Sequence, residues 1–230
     1  GDPGAAKYSP LDQIDETNVA QLKIAWRRPA LDSVVTREAP QMRPGRTFRS
    51  TPLMIGGVLY APNGVGFVEA FDAGTGETLW VEPPFAPGPN GYGGTATRGV
   101  GYWESGDDRR ILTQHHEYLF ALDAATGRPI TSFGDQGRVY LSAGMGADMR
   151  YTWSGAPFVI GDVVVLGMSP LDDFASKEAT RSDVRAYDVR TGKLRWTFHV
   201  IPREGEAGTE TWENNSWSYT GAANVWAMMS

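Results

Sequence analysis

The stretch that decides the fold is Ala70-Phe-Asp72-Ala-Gly-Thr-Gly76-Glu-Thr-Leu-Trp80, which has the form A-x-D-x-x-T-G-x-x-x-W. The same form returns in full at residues 186–196, and it returns without the tryptophan at residues 121–127. The aspartates of the three copies are 51 and 65 residues apart. A repeat of about 50 residues is typical of propeller blades, whereas helical solenoids repeat at roughly 33 to 47 residues.

Each copy has the residues of a tight turn between two antiparallel strands. The aspartate can accept hydrogen bonds from backbone N–H groups at the start of the turn, and the closing glycine can take a left-handed conformation. Two apolar runs around a two-residue glycine turn, the signature of a β-hairpin, precede the first copy at residues 51–60 and the third copy at residues 156–165. Residues 110–113 and 118–121 are the corresponding strands of the middle unit. The sequence therefore predicts an all-β protein, a β-propeller of four-stranded antiparallel blades.

The number of blades follows from the number of copies. Leu22-Lys-Ile-Ala-Trp26 reads as a strand that ends on tryptophan and resembles the tail of a fourth copy. A blade can bury its apolar faces only against its neighbours, and closed propellers have roughly 4 to 8 blades. Residues 1–230 are therefore predicted to form about four blades in a single domain. The segment Leu11–Gln21 is the best candidate for a helix, and it is short.

Composition and charge exclude several classes of protein. The 230 residues carry a formal charge of −6, and the lysines and arginines form no cluster, which argues against a nucleic-acid partner. No stretch reaches the roughly 18 consecutive apolar residues that a membrane span needs. Cysteine is absent, so a disulfide, a thiolate metal site and thiol catalysis are excluded.

Several segments together carry a family resemblance. They are the repeated motif, Tyr8–Ile14, Leu22–Trp26, Arg98–Trp103, Gly205–Trp212 and Thr220–Trp226. In this order they resemble the pyrroloquinoline quinone (PQQ) dependent dehydrogenases, a family of eight-bladed quinoprotein propellers. The sequence Thr220-Gly-Ala-Ala-Asn-Val-Trp226 resembles that of the family branch that oxidises glucose, other sugars and polyols. The resemblance implies the N-terminal half of such a propeller, with the remaining blades after Ser230.

The resemblance also implies cofactor contacts. Arg98 stands where the family has an arginine that pairs with a carboxylate of the quinone, a contact that suits the guanidinium group. Thr152 matches a threonine that hydrogen-bonds the cofactor, and Trp226 matches the tryptophan that lies flat beneath its ring system. Relatives have Glu or Gln at the position of Arg49, so Arg49 is a further candidate for contact with a quinone carboxylate.

One segment implies both a cofactor contact and a metal ligand. Residues 167–172, Gly-Met-Ser-Pro-Leu-Asp, stand in the place of Gly-x-Ser-Gly-Ala-Glu in the family. Ser169 matches the serine that contacts the cofactor, and Asp172 replaces the glutamate that binds Ca²⁺. An aspartate supplies the hard carboxylate oxygens that Ca²⁺ prefers, but its side chain is shorter by a methylene. Asp173 is the alternative ligand.

The reaction that the resemblance implies is oxidation of an alcohol, a polyol or an aldose sugar by hydride transfer to a Ca²⁺-bound quinone. The carboxylate base and a further Ca²⁺ ligand are expected beyond Ser230, so this chain alone is expected to be inactive. The electron acceptor, a quinone or a cytochrome, is left open. The family works in the periplasm or outside the cell, so a periplasmic or secreted location is expected, with a signal peptide absent or removed.

Two alternatives stay open at this point. A non-catalytic propeller scaffold of the outer-membrane assembly type shares the repeated motif but binds proteins instead of a quinone. A relative that has lost its cofactor would fit Arg49, Pro170 and the absence of the adjacent cysteine pair that many members carry. His115 and His116 are adjacent and would point in opposite directions on a strand, so no shared metal is expected. His199 is also expected to be structural.

Overall fold

Three four-stranded antiparallel sheets follow one another along the described chain. The computed structural model describes the side chains of residues 11–44, 49–82, 98–115, 117–144, 155–168 and 181–221, the backbone of 151–152 and 169–170, and the single residues 178, 223, 225 and 229. In each sheet, successive strands of the chain are hydrogen-bonded neighbours. The sheets are blades, and the predicted class is confirmed.

The strand bounds are as follows. The first blade contains β1 (Leu53–Ile55), β2 (Val58–Pro62), β3 (Val68–Asp72) and β4 (Thr78–Val81). The second contains β5 (Gly101–Ser105), β6 (Asp108–His115), β7 (Tyr118–Asp123) and β8 (Arg138–Tyr140). The third contains β10 (Phe158–Ile160), β11 (Val163–Gly167), β13 (Asp183–Asp188) and β14 (Leu194–His199), and beside it β9 (Tyr151–Thr152) pairs with β12 (Ser169–Pro170).

Helices are short throughout the described residues. The α-helix α1 (Ser33–Glu38) begins after Asp32, whose Oδ1 accepts a hydrogen bond from the N–H of Val34 at 2.8 Å. Turns of 3-10 helix cover Val19–Gln21, Thr209–Thr211 and Glu213–Ser218. The prediction of a helix over Leu11–Gln21 is therefore wrong except for its last turn, and α1 was not predicted. None of the helices in the described ranges is long and apolar enough to cross a membrane.

The three repeated motifs form the turns that the sequence predicts after the third strand of each blade. In the first blade, Asp72 Oδ1 accepts hydrogen bonds from the N–H groups of Gly74 and Thr75 at 2.9 and 2.8 Å. Asp188 Oδ1 accepts the equivalent pair of backbone bonds in the third blade, and Asp123 Oδ1 accepts one of them, from the N–H of Thr126, in the second. The closing glycines have positive φ: Gly76 75°, Gly127 70° and Gly192 72°. This left-handed backbone explains why each copy ends in glycine.

The Asp188 turn makes the stability of the third blade dependent on pH. Burial on its own raises the pKa of Asp188, but hydrogen bonds from Thr191 and Arg195 outweigh it and lower the pKa to about 2. A carboxylate with a folded-state pKa below its unfolded value of about 3.9 stabilises the fold above that value and loses this contribution as the pH falls. Asp188→Asn is therefore expected to be less stable than the wild type at neutral pH, and the difference should shrink as the pH falls from about 5 to about 2. Urea denaturation at a series of pH values measures this, and a pH-independent difference would contradict it.

Tryptophans join successive blades. Trp80 Nε1, in the first blade, donates to the carbonyl oxygen of Ala124 at 3.0 Å, in the repeated turn of the second blade. Trp26 Nε1 donates in the same way to the carbonyl oxygen of Ala73 at 3.0 Å, in the turn of the first blade. Trp26 thus acts as the tail of a fourth copy. The strand predicted over Leu22–Trp26 is wrong for the described structure, since this segment pairs with no strand there.

Two apolar cores fill the spaces between the blades. The core between the first and second blades consists of Tyr60, Val68, Ala70, Val100, Ile111, Phe120, Leu122 and Ala124. The core between the second and third blades consists of Trp103, Leu112, Leu119, Ala121, Phe133, Leu141, Val164, Leu166, Met168, Tyr187 and Val189. The blades therefore pack face to face in chain order, with equivalent edges side by side.

Candidate functional site

The candidate site is one edge that the three blades share. The word edge here means the end of a blade where its strands begin or finish, not an outer strand. In an antiparallel sheet, the start of the first strand and the end of the second lie at the same such edge. At this edge β1, β5 and β10 begin and β2, β6 and β11 end, and we name it the first-strand edge. Arg49 and Arg98 precede β1 and β5, and Ser169 follows β11. Three of the predicted cofactor residues therefore lie at this edge through their positions in the blades.

The backbone around Arg98 connects the starts of all three first strands. The N–H of Thr51, which precedes β1, donates to the carbonyl oxygen of Arg98 at 2.9 Å. The next residue, Gly99, is so enclosed that an added Cβ would lie 3.3 Å from Ala156 Cβ and 3.3 Å from the carbonyl oxygen of Thr51. Ala156 precedes β10. The three strands therefore converge at Arg98, which is partly exposed, whereas Arg49 is exposed.

Two further cofactor candidates lie opposite each other. Thr152 in β9 and Ser169 in β12 are Cα partners in an antiparallel ladder. Directly opposed residues in such a ladder have Cα atoms about 4.5 to 5.5 Å apart. The two positions are therefore close enough to serve one ligand, and what they bind stays a prediction.

The chain just before Trp226 is tied to the chain just before Ser169. The N–H of Val225 donates to the carbonyl oxygen of Met168 at 3.0 Å. Val225 also covers Gly167, where an added Cβ would overlap with the carbonyl oxygen of Val225. Trp226 itself lies outside the described residues, so its predicted stacking beneath the quinone stays a prediction.

The predicted metal ligand also falls outside the structure described. Asp172 and its alternative Asp173 both belong to the residues that are not described. Among the residues that are, no group of three or more His, Asp or Glu side chains has the arrangement of a metal site. The buried carboxylate of Asp183 on β13 is paired with an arginine instead of a metal-binding group: it lies 3.0 Å from the guanidinium group of Arg203. The Ca²⁺ site at Asp172 therefore rests on the resemblance alone.

Sequence reasoning missed a buried polar pair at the same edge. Glu82 follows β4 and His115 ends β6, and their side chains are only 3% and 4% exposed. His115 Nε2 lies 3.0 and 2.9 Å from the two carboxylate oxygens of Glu82. Glu82 Oε2 also accepts a hydrogen bond from the N–H of Val68 at 2.8 Å. The signal was the polar run Thr-Gln-His that ends β6, since its three residues are buried directly after the apolar Ile111 and Leu112. His116 lies outside the described residues.

Comparison with known proteins identifies the family. The family described as "PQQ: Glucose/ethanol/alcohol dehydrogenase, beta-propeller domain" matches residues 1–230. The dehydrogenase subunit of the quinone alcohol dehydrogenase of Gluconacetobacter polyoxogenes is 34% identical over 226 residues, which cover 94% of this chain and 28% of that protein. Quinoprotein glucose dehydrogenase A of Acinetobacter calcoaceticus is 27% identical over 256 residues, which cover 97% of this chain and 30% of that protein.

A solved structure shows the same fold. The quinohemoprotein alcohol dehydrogenase of Comamonas testosteroni superposes with a TM-score of 0.70 at 24% identity, over 96% of this chain and 31% of that one. The chain thus spans less than a third of the length of each of these three relatives. The family match over all 230 residues agrees with the blades and with the repeated turns. The chain belongs to the PQQ-dependent glucose, ethanol and alcohol dehydrogenase family, whose β-propeller domain it matches.

Proposed function

We propose that the first-strand edge binds PQQ and that the protein uses it to oxidise an alcohol, a polyol or an aldose sugar. The observation that carries the proposal is the convergence of Arg98, the Thr152 and Ser169 pair, and Val225 at one edge. Family membership supports it. The activity is proposed for the natural polypeptide that contains this chain, because the relatives are about three times longer.

The residue types at this edge fit the cofactor. PQQ carries carboxylates, and a guanidinium group such as that of Arg98 binds carboxylates through charge-assisted hydrogen bonds. Thr152 and Ser169 bring hydroxyl groups that both donate and accept hydrogen bonds. When bound, PQQ supplies the hydride acceptor and Ca²⁺ at Asp172 supplies a Lewis acid. The role proposed for the residues of this chain is to hold and orient the quinone.

The substrate class is proposed from the relatives. The alcohol dehydrogenase is 34% identical and the glucose dehydrogenase 27% identical to this chain, which favours an alcohol. The sugar or polyol branch predicted from Thr220–Trp226 stays a prediction. Primary alcohols, polyols and aldoses are therefore to be screened in that order. A quinone or cytochrome acceptor and a periplasmic or secreted location belong to the same proposal.

Arg98→Ala is expected to weaken PQQ binding about 10- to 100-fold, because a charge-assisted hydrogen bond contributes about 1.5 to 3 kcal/mol. The natural polypeptide is titrated with PQQ, with and without Ca²⁺, and binding is followed by quenching of tryptophan fluorescence. Arg37→Ala is the control, since the Arg37 side chain on α1 is 70% exposed. Its affinity for PQQ should equal that of the wild type.

Each outcome of the titration decides something. Saturable, Ca²⁺-dependent binding that Arg98→Ala weakens supports the proposal. A folded wild-type protein that binds no PQQ would overturn it and leave a propeller with another role. Equal affinities of Arg98→Ala and the wild type would remove Arg98 from the site.

A further inference from the structure

Gln114 is a buried polar residue at the first-strand edge that the site described above does not use. It lies in β6 and is 1% exposed. Its Nε2 donates a hydrogen bond to the carbonyl oxygen of Gly155, which is itself buried. Gly155 follows Thr152 by three residues, so the bond reaches the segment that carries one of the predicted cofactor residues.

Gln114 faces the third blade. Side chains alternate along a strand, and Gln114 shares a face of β6 with Leu112, which packs in the core between the second and third blades. Thr113 lies on the opposite face, as does Ile111, which packs in the core between the first and second blades. The amide of Gln114 is therefore directed across the interface between blades, towards the start of the third blade.

The equivalent positions in the other blades hold no donor side chain. The strand registers align Gln114 with Pro62 in β2 and with Gly167 in β11. Proline has no donor and glycine has no side chain. At Gly167 the space is taken by Val225, another segment of this edge. In two blades this position therefore contacts a segment of the site. Gln114 does so through its amide, and Gly167 does so because its missing side chain leaves room for Val225.

The hydrogen bonding of Gln114 is incomplete. Its Oε1 is buried and has no hydrogen-bond partner among the residues that the structure describes. An unsatisfied buried polar atom costs free energy, so an apolar residue would fit this core position more favourably. The bond from Nε2 to Gly155 is therefore the contribution that explains an amide at this position.

We propose that Gln114 is a positioning residue for the cofactor site: its amide fixes the carbonyl of Gly155 and thereby holds β9, so that Thr152 stays opposite Ser169. The inference rests on the proposed PQQ site. Gln114 itself is not proposed to contact the quinone. Its effect on binding is indirect: it bonds Gly155, which follows Thr152 by three residues in the chain.

Two variants of Gln114 and one control test the proposal in the natural polypeptide. Gln114→Met keeps the length of the side chain without the donor, and Gln114→Asn keeps an amide but shortens its reach by a methylene. Thr113→Val is the matched control, because Thr113 is fully buried one residue away and its Oγ1 has no hydrogen-bond partner within the described ranges. All variants are first compared with the wild type by near-UV circular dichroism and thermal melting.

Two readouts are then taken. Hydrogen–deuterium exchange of the cofactor-free protein should be faster in peptides covering residues 151–157 in both Gln114 variants and unchanged in Thr113→Val. The dissociation constant for PQQ should rise about tenfold in both Gln114 variants, because the carbonyl of Gly155 loses the hydrogen bond that holds it. Thr113→Val should bind PQQ as the wild type does.

The outcomes separate this inference from the proposed function. Lower melting temperatures of the Gln114 variants with unchanged PQQ affinity would show a structural role only and would overturn the inference. Unchanged hydrogen–deuterium exchange over residues 151–157 would also overturn the inference. If one of the two Gln114 variants folds poorly, the exchange of the other variant still gives the answer. Failure of the wild type to bind PQQ would overturn the proposed function, whereas exchange would still report whether Gln114 orders this segment.

Discussion

His115→Ala is expected to lower the free energy of unfolding by about 3 to 5 kcal/mol, because it leaves the buried carboxylate of Glu82 without its partner. Both side chains are less than 5% exposed, and His115 Nε2 lies 2.9 Å from the nearer carboxylate oxygen. The remaining hydrogen bond to this carboxylate in the described structure comes from the N–H of Val68. Urea denaturation monitored by tryptophan fluorescence measures the change.

A second histidine pair is the control for this prediction. His199 Nδ1 lies 2.6 Å from Glu206 Oε1, but the Glu206 side chain is 41% exposed, so water replaces the lost partner. His199→Ala should therefore cost less than about 1 kcal/mol. Adding Glu82→Gln to His115→Ala should restore part of the stability, since a neutral amide is easier to bury than a carboxylate. Equal effects of the two histidine substitutions would contradict the account of the buried pair.

Gly167→Ala is expected to weaken PQQ binding about 10- to 100-fold and to lower the free energy of unfolding by about 1 to 3 kcal/mol. The added methyl group would overlap with the carbonyl oxygen of Val225 and push this segment away from β11. Trp226 follows directly, so its proposed stacking on the quinone would be disturbed. Fluorescence titration with PQQ and urea denaturation give the two values.

The control for Gly167→Ala is another glycine whose backbone is not left-handed. At Gly74, an added Cβ would meet only Asp72 Oδ1, at 3.3 Å, within an exposed turn. Gly74→Ala is remote from the first-strand edge and should leave PQQ affinity unchanged. A Gly167→Ala protein with wild-type affinity would show that the approach of Val225 does not shape the cofactor site.

The turns and hairpins could be predicted from the sequence because their signals are local. The hairpin turn at Gly56 and Gly57 has φ values of 56° and 84°, which is the left-handed backbone that a two-residue turn with two glycines favours. In the repeated turns, the aspartate and the closing glycine lie within five residues of each other. Local hydrogen bonds satisfy them without help from the rest of the fold.

Contacts between blades could not be predicted in the same way. Trp80 and its acceptor Ala124 are 44 residues apart, and nothing in either motif specifies the partner. The closing glycines Gly76 and Gly127 are covered by the rings of Trp26 and Trp80, whereas Gly192 in the third turn is covered by Val139. The predicted strand at Leu22–Trp26 failed for a related reason, since a strand needs a partner and its pattern does not supply one.

The candidate site could be predicted in part. The resemblance selected Arg98, Thr152 and Ser169, and the structure brings their backbone positions to one edge. The sequence could not show that Gln114 reaches Gly155, 41 residues away, or that His115 reaches Glu82, 33 residues away. Such pairs form only when blades dock, because each partner comes from a different blade.

The central claim is that the first-strand edge is the PQQ site, and the most direct test is an experimental structure of the natural polypeptide with PQQ and Ca²⁺. The account predicts quinone density at this edge, with a carboxylate of PQQ about 3 Å from the guanidinium group of Arg98 and with Thr152 and Ser169 in contact with the cofactor. Quinone density at any other place, or a folded protein with no quinone at saturating PQQ, would contradict it.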